Sequence, residues 1–562
     1  MPKHGPTQPS ETESGYNSIV VDTPHFGLQE MILEKDVPVT VRDGTTLLVN
    51  VFRPPEDGEY PVVLSADVYG KDRLNADVLS HVPTSGGVPY SNFCGWESPD
   101  PGYWVPNDYV VVKAAFRGTS GSEGERVDPV SRQEAKDYYD LIEWAGEADW
   151  STGRVGTNGV SYLAMAQWGV GQLNPPHLEA MIPWEGVSDL YREWSFHGGI
   201  PETNFSRSWI ESQREEWPNR DIEDLIAAQD DHPLYDEYWQ QKHGDLSDIE
   251  VPIYAGTSWS THGLHNRGTL EGFKQASSDH KWLEVHGRKE WEYYYQRETL
   301  ERQKRFFDYF LKGIENDWLD TPRVRLEVRD RYYEGKFRFE DEWPPSATQA
   351  TPLYLDAEEN AMQLSPVEGS STATYDSTAS PESEAGRAVF TVEFDEDTEI
   401  TGSMKLVLWV STDEATDMDL FVGAKKLDCR GEEVHFPDFN HVDGGRVASG
   451  WLRVSHREVD EDRSTPTQPW LKHERELPLE PGEVVPVEIE IWPSSTLFRA
   501  GEQLQLIVQG SDIPRNGTEA LPPEHGIQPT EHDQTVNEGT HVLHTGGEYD
   551  SHLLIPVHER GT

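Results

Sequence analysis

The chain has 562 residues, and its 101 aspartates and glutamates outweigh 47 lysines and arginines to give a formal charge of -54 and a pI near 4.6. Such a charge excludes nucleic acid and anionic membrane as natural partners, since both would repel it on approach. The length exceeds one ordinary core, so roughly two to four domains are expected, and two cysteines, Cys94 and Cys429, are too few for a disulfide scaffold or a cysteine-rich metal centre.

The acidic residues are scattered through the chain, not gathered in a tail. Scattered acid suits a surface adapted to high salt, where screening over a few ångströms removes the self-repulsion that opposes compaction. A halophilic protein is therefore expected, and its melting temperature should rise with KCl; a melting point indifferent to salt would overturn that reading. Met1 to Asp22 is polar and carries no apolar leader, and no run of about 18 apolar residues occurs. Cysteine usage and the absent leader predict a soluble cytoplasmic protein with residues 1–27 as a flexible tail.

In chain order, β-rich runs come first, at Val37–Val41, Leu47–Phe52, Pro61–Ser65 and the fully apolar Tyr109–Ala115. An amphipathic helix follows over Arg132–Ala148, with Tyr138, Leu141, Ile142 and Ala145 at helical spacing. Further strands are predicted at Leu178–Pro183, Val251–Gly256 and Lys281–Val285, separated by helical stretches, and a helix over Tyr295–Ile314 closes the series. Strands alternating with helices describe a doubly wound α/β sheet. The tryptophan- and tyrosine-rich stretch 189–250 is expected to be a helical cap inserted over the carboxyl edge of that sheet, its aromatics forming mainly their own small core.

From about residue 323 the pattern changes to short alternating runs, at Arg323–Val328, Ala388–Phe394, Met404–Val410, Gly450–Ser455, Val485–Ile491 and Gln503–Gln509. These predict a C-terminal jelly-roll β-sandwich over 323–562, with the Ser/Thr/Glu-rich stretch near 364–386 as loop or excursion. With the serine turn at residues 156–164, this layout predicts an α/β-hydrolase domain, residues 28–188 and 251–322, with the cap at 189–250, followed by the all-β domain.

The chemistry starts at Gly-Thr-Asn-Gly-Val-Ser-Tyr-Leu-Ala, residues 156–164. Arg154-Val155 ends a strand and Leu163–Trp168 starts a helix at once, so Ser161 sits on the sharp turn that exposes a nucleophilic hydroxyl. A strict G-x-S-x-G would carry glycine where this chain has Leu163. Among the histidines, His286 ends the run Lys281–Val285, and Ser161 before His286 is the chain order of this fold; His262 and His265 compete from the preceding loop.

Asp67–Asp72 with Tyr69, Phe116–Gly124, Gly159–Tyr162, Leu408–Ser411 and Ser511–Pro514, in that order, resemble the CocE/NonD hydrolases, relatives of X-prolyl dipeptidyl-peptidases, cocaine esterase and α-amino-acid ester hydrolases. The resemblance spans about residues 30–555 and implies a serine esterase or dipeptidyl-peptidase that acylates Ser161. It implies an oxyanion held by the Tyr69 hydroxyl and the Tyr162 amide, with His286 as general base. The aspartate of the wider family falls near Thr261, so the acid that orients the imidazole is Glu185, Asp189 or absent. A member that had lost its acid would instead be a binding protein working through its jelly roll. The resemblance also implies no cofactor, a small acyl ester, amide or short peptide as substrate, and a homo-oligomer. His541, His544, His552 and His558 are dispersed along the tail and not set at ligand spacing, so no metal site is expected.

Overall fold

The computed structural model describes residues 10–11, 17–79, 87–381, 383–438, 442–514 and 531–559. Ten strands of the first part form one mixed sheet: β1 Asn17–Thr23, β2 Gly27–Thr40, β3 Thr46–Arg53, β4 Tyr60–Asp67, β5 Val110–Ala115, β6 Ser151–Val160, β7 Leu178–Trp184, β8 Ile253–Ser258, β9 Lys281–His286 and β10 Val324–Arg331. Their hydrogen-bonded order is β1-β2-β3-β5-β4-β6-β7-β8-β9-β10. The first three pairings are antiparallel and the rest parallel. Val110–Ala115 is buried at every position, as a strand covered on both faces by crossover helices must be. Because β4 and β6 to β9 run parallel, their carboxyl ends share one edge, and Tyr69, Ser161, Glu185 and His286 lie at or just beyond those ends.

Helices α1 Arg132–Glu147 and α2 Tyr162–Gly171 flank β6. Ser131 caps α1, accepting the Glu134 amide at 3.2 Å and so satisfying one of the helix's free N–H groups. The stretch after β7 holds α3 Phe205–Glu216, α4 Leu225–Asp231 and α5 Glu237–His243. Its aromatics do pack on one another, as in Trp194 against Phe205 and Tyr191 against Phe196, with ring centroids 5.1 and 4.5 Å apart. Two of them do something else: Trp209 meets Tyr69, and the Trp217 indole donates to the Val68 carbonyl at 2.9 Å. Helices α6 His265–Gln275 and α7 Arg297–Lys312 complete the first part, α7 burying Phe306, Phe307 and Leu311 as the periodicity predicts.

The longer strands that remain are β11 Glu334–Glu340, β12 Thr348–Asp356, β13 Ser371–Asp376, β14 Arg387–Glu393, β15 Thr398–Thr412, β16 Asp419–Leu427, β17 Ala448–Arg453, β18 Val485–Phe498, β19 Gln503–Gln509, β20 Thr540–Thr545 and β21 His552–His558. One antiparallel group joins β12 through β21 to β15 and β18, with β13 reaching β15 through β20. A second runs β14-β19-β16-β17. Leu406, Leu408 and Val410 of the first group share one apolar cluster with Leu420, Val422, Leu504 and Leu506 of the second.

Three expectations give way, the first being the run Arg323–Val328, which does not open the all-β domain but extends the first sheet as β10 beside β9. Residues 17–27 do not trail as a tail: β1 pairs with β2 from Asn17↔Leu33 to Thr23↔Gly27, and Val21 is fully buried. The polar composition there masks a period-two alternation that buries Val21 and Thr23. Residues 1–9 and 12–16 of the expected tail lie outside the described residues. The stretch 364–386 is not all loop, because β13 pairs with β20 over six residues; its Thr and Tyr supply the β-preference that the serines obscure. Among the described residues no helix is long and apolar enough to cross a membrane.

Candidate active site

Ser161 joins β6 to α2 with φ 58° and ψ -118°, a conformation that costs a non-glycine residue about 1–3 kcal/mol and persists only where the surroundings impose it. Here the Ser161 amide donates to the Trp184 carbonyl at 3.0 Å, and the Ser161 carbonyl accepts the Ala164 and Met165 amides at 2.9 and 3.0 Å. The departure at Leu163 has a packing reason: a Cβ on Gly159 would stand 2.5 Å from the Leu163 Cβ, so a glycine at 159 makes the room that a glycine at 163 would otherwise provide.

The Ser161 hydroxyl lies close enough to the Tyr69 hydroxyl to act on its pKa. The Trp209 indole N–H donates to the Tyr69 oxygen at 3.3 Å, which leaves the phenolic proton available for a second acceptor. Burial, with the Glu97 charge adding to it, pushes the Tyr69 hydroxyl well above its usual range, so it stays a neutral donor. Tyr162 keeps its side chain occupied elsewhere: its ring stacks on Trp209 with centroids 5.8 Å apart, and its hydroxyl donates to Glu134 at 2.7 Å. Burial pushes that Glu134 carboxyl up to about 8. What Tyr162 offers the turn is its backbone N–H, the first of α2, at the positive end of the helix. Tyr69→Phe is expected to lower kcat by about 10²–10³-fold with KM little changed, measured as steady-state kinetics on a short-chain acyl ester.

Glu185 directly follows β7 with φ 52° and donates its amide to the Gly256 carbonyl at 2.7 Å. Its Oε1 lies 3.5 Å from His286 Nε2, with both side chains fully buried, and Thr261, whose hydroxyl donates to the Ser258 carbonyl at 3.1 Å, lies close enough to the same carboxyl to oppose the rise in its pKa. The structure therefore brings Glu185, His286 and Thr261 together. Burial pushes Glu185 well up, with the Glu97 charge adding to it, and burial takes the His286 imidazole down to about 3. Both shifts favour the neutral forms, because desolvation outweighs what a charged pair would gain at this distance. His286 Nδ1 accepts the Arg288 amide at 3.3 Å, so Nε2 carries the ring proton and turns it toward Glu185. The ring lies on Tyr293, centroids 3.9 Å apart.

Among the described residues no hydrogen bond joins Ser161 to His286. The register explains why: Val160 pairs with Trp184, Trp184 with Gly256, and Gly256 with Glu284, which puts the ends of β6 and β9 three strand spacings, about 14 Å, apart. Glu185 stands one strand from the serine, on the line between them. Asp189 is turned away, its carboxylate held by Arg192 at 2.7 Å and by the amides of Tyr191 and Arg192. His265 opens α6, buried and pushed down to about 3 by that burial, and His262 lies buried in the turn before it.

Sequence reasoning missed Glu97. Its φ is 56°, its carbonyl accepts the Val160 amide at 3.0 Å, and its Oε1 accepts the Trp291 indole N–H at 3.1 Å. Burial, with Glu290 adding to it, pushes this carboxyl well up. Nothing local marks it, since its partners lie in three other segments.

Fold and site together define a serine hydrolase. Residues 43–289 match the family model of X-Pro dipeptidyl-peptidase, S15 family, and residues 316–554 match the X-Pro dipeptidyl-peptidase C-terminal non-catalytic domain. A CocE/NonD family hydrolase from Staphylococcus aureus superposes with a TM-score of 0.94 at 53% identity, covering 100% of this chain and 99% of that one. The cocaine esterase of a Rhodococcus species is 25% identical, over 93% of this chain and 98% of its own length. An α-amino acid ester hydrolase shares the fold, with a TM-score of 0.71 at 16% identity over 94% of this chain and 96% of that one. The chain belongs to the CocE/NonD family of hydrolases, with an N-terminal hydrolase-like domain and a strand-rich C-terminal domain.

Proposed function

We propose that Ser161 attacks the carbonyl of a small acyl ester or amide, with the Glu185–His286 pair taking its proton. The observation that carries this is the Ser161 turn, held at φ 58° with its hydroxyl beside that of Tyr69. As the Ser161 Oγ–carbon bond forms, the serine proton passes to the pair and the carbonyl oxygen becomes an oxyanion facing the Tyr69 hydroxyl and the Tyr162 amide. The oxyanion collapses, the carbon–leaving-group bond breaks, and the departing alkoxide or amine takes the proton. Water then adds to the acyl-enzyme through the same pair and releases the acid.

Within the pair, Glu185 is the member nearer the serine, and His286, with Nε2 3.5 Å from its Oε1, supports its carboxylate. This inverts the order of base and acid that the sequence suggests. A helical cap over 189–250 covers the site with Trp209, and a jelly-roll domain walls its side. A soluble, cytoplasmic enzyme acting on neutral or cationic acyl substrates fits the acidic chain. The relatives are hydrolases, which leaves the binding-protein reading without support.

The test is a pH–rate profile. Only ionised Glu185 can take the serine proton, and burial raises its pKa, so the acid limb of kcat/KM should lie above the ordinary carboxylate range. Glu185→Gln should abolish that limb together with nearly all turnover. Stability should move the other way: a carboxyl raised on folding costs stability once pH passes its unfolded pKa, in full above its folded pKa. The variant should therefore melt higher than the parent at alkaline pH. Wild-type turnover in Glu185→Gln would sink the assignment.

A further inference from the structure

A second cluster of titratable side chains lies away from Ser161, where the stretch after β7 meets the C-terminal strands. His197, in the short hairpin Phe196–Pro201, is fully buried. Its Nδ1 lies 2.9 Å from His532 Nε2 and 4.0 Å from Glu531 Oε2, and the three donor atoms fall within 4.8 Å of one another. His532 Nδ1 is held by both Asp512 oxygens, at 3.0 and 3.1 Å, and Asp512 Oδ2 also accepts the backbone amides of Glu531 and His532 at 2.7 Å each. A carboxylate on the far nitrogen of an imidazole fixes the tautomer that leaves Nε2 free to ligate, the usual support of a metal-binding histidine.

We propose that His197 Nδ1, His532 Nε2 and Glu531 Oε2 bind one divalent transition-metal ion of the zinc class. Two imidazoles and one carboxylate suit zinc, cobalt or nickel and disfavour calcium and magnesium, which take oxygen donors. Nitrogens 2.9 Å apart, each about 2.1 Å from one ion, subtend roughly 90° there, the right-angle edge of a five- or six-coordinate site. The walls are apolar and aromatic. Trp451 lies over His197 with ring centroids 4.7 Å apart, Trp492 meets it edge-on, and Phe421 meets His532.

The site would act as a staple across the molecule. His197 and His532 are 335 positions apart, and the Thr203 amide donates to the Glu531 carbonyl at 3.0 Å. Glu202 accepts the amides of Asn204, Phe205 and Ser206 at 3.0, 2.7 and 2.7 Å, capping α3, the helix that carries Trp209 to Tyr69. The ion would fix the start of α3 to the C-terminal strands, and neither ligand segment signals this in sequence.

The full-length protein, stripped with chelator, should be titrated with Zn²⁺ and, in parallel, with Co²⁺. The expected result is one equivalent of Zn²⁺ retained after gel filtration, visible d–d absorption with Co²⁺, and a melting temperature that rises with free Zn²⁺. His532→Ala should lose all three responses. His197→Gln, which keeps a hydrogen-bonding side chain of similar size, should lose them too and serves if His532→Ala fails to fold. Asp512→Asn should retain binding weakened by about 10–100-fold. Wild-type protein that retains no Zn²⁺ at micromolar free metal would reduce the cluster to a hydrogen-bonded Asp512–His532–His197 chain and overturn the proposal. Undiminished binding in both ligand variants would overturn it equally.

Discussion

Ser161→Ala should lower kcat by about 10⁴–10⁶-fold, the range seen when a serine nucleophile is removed and only oxyanion stabilisation and binding remain. A fluorophosphonate should add its mass to the wild-type protein and leave Ser161→Ala unmodified. The backbone adds a signature that a surface serine would not have. Because position 161 is held at φ 58° and ψ -118°, Ser161→Gly should be as inactive as the alanine variant while gaining stability, since glycine adopts that conformation without the strain. An adduct on Ser161→Ala, or substantial turnover in either variant, would remove Ser161 from the mechanism.

Arg267→Ala should cost about 3–5 kcal/mol of folding stability, the usual penalty for leaving a buried charge without its partner. Arg267 on α6 donates to Glu193 at 2.8 Å and to Glu490 at 3.0 Å, with Arg267 and Glu193 almost wholly buried. Glu193 begins the stretch that leads to α3, and Glu490 lies on β18, so one guanidinium ties three parts of the chain together. The loss should depend on pH in a defined sense. Burial already takes Glu193 up to about 7, against the lowering effect of Arg267. Without Arg267 the carboxyl rises further and sheds its charge at low pH. The penalty should be largest at alkaline pH and shrink on acidification, read as denaturant midpoints on either side of neutrality; a pH-independent loss would point to packing beneath Trp470, whose ring lies 5.0 Å from the guanidinium.

The parallel strands and the Ser161 turn are legible because their signals are local. A buried strand is an unbroken apolar run, and the turn needs only Gly159, Ser161 and the helix that follows. Tyr69 is legible through its motif. Glu185 is legible because it directly follows a recognisable strand, yet its role depends on register: no sequence pattern says that β9 ends three strands from β6. The partners that complete the site come from far along the chain, with Trp209 140 positions from Tyr69 and Trp291 194 from Glu97. β1 went unread because its few apolar residues sit among polar ones that only the pairing with β2 explains.

The Trp209 indole N–H, bonded to the Tyr69 oxygen, has a spectroscopic consequence. Indole emission shifts with the field around the ring, and the oxyanion and acyl group would form within contact of this pair. Of 19 tryptophans, this one would brighten or dim as the enzyme is acylated, and subtracting the Trp209→Phe trace isolates its signal. Substrates that carry no chromophore can then be screened by the protein's own fluorescence, which frees the search for the natural acyl group from synthetic esters.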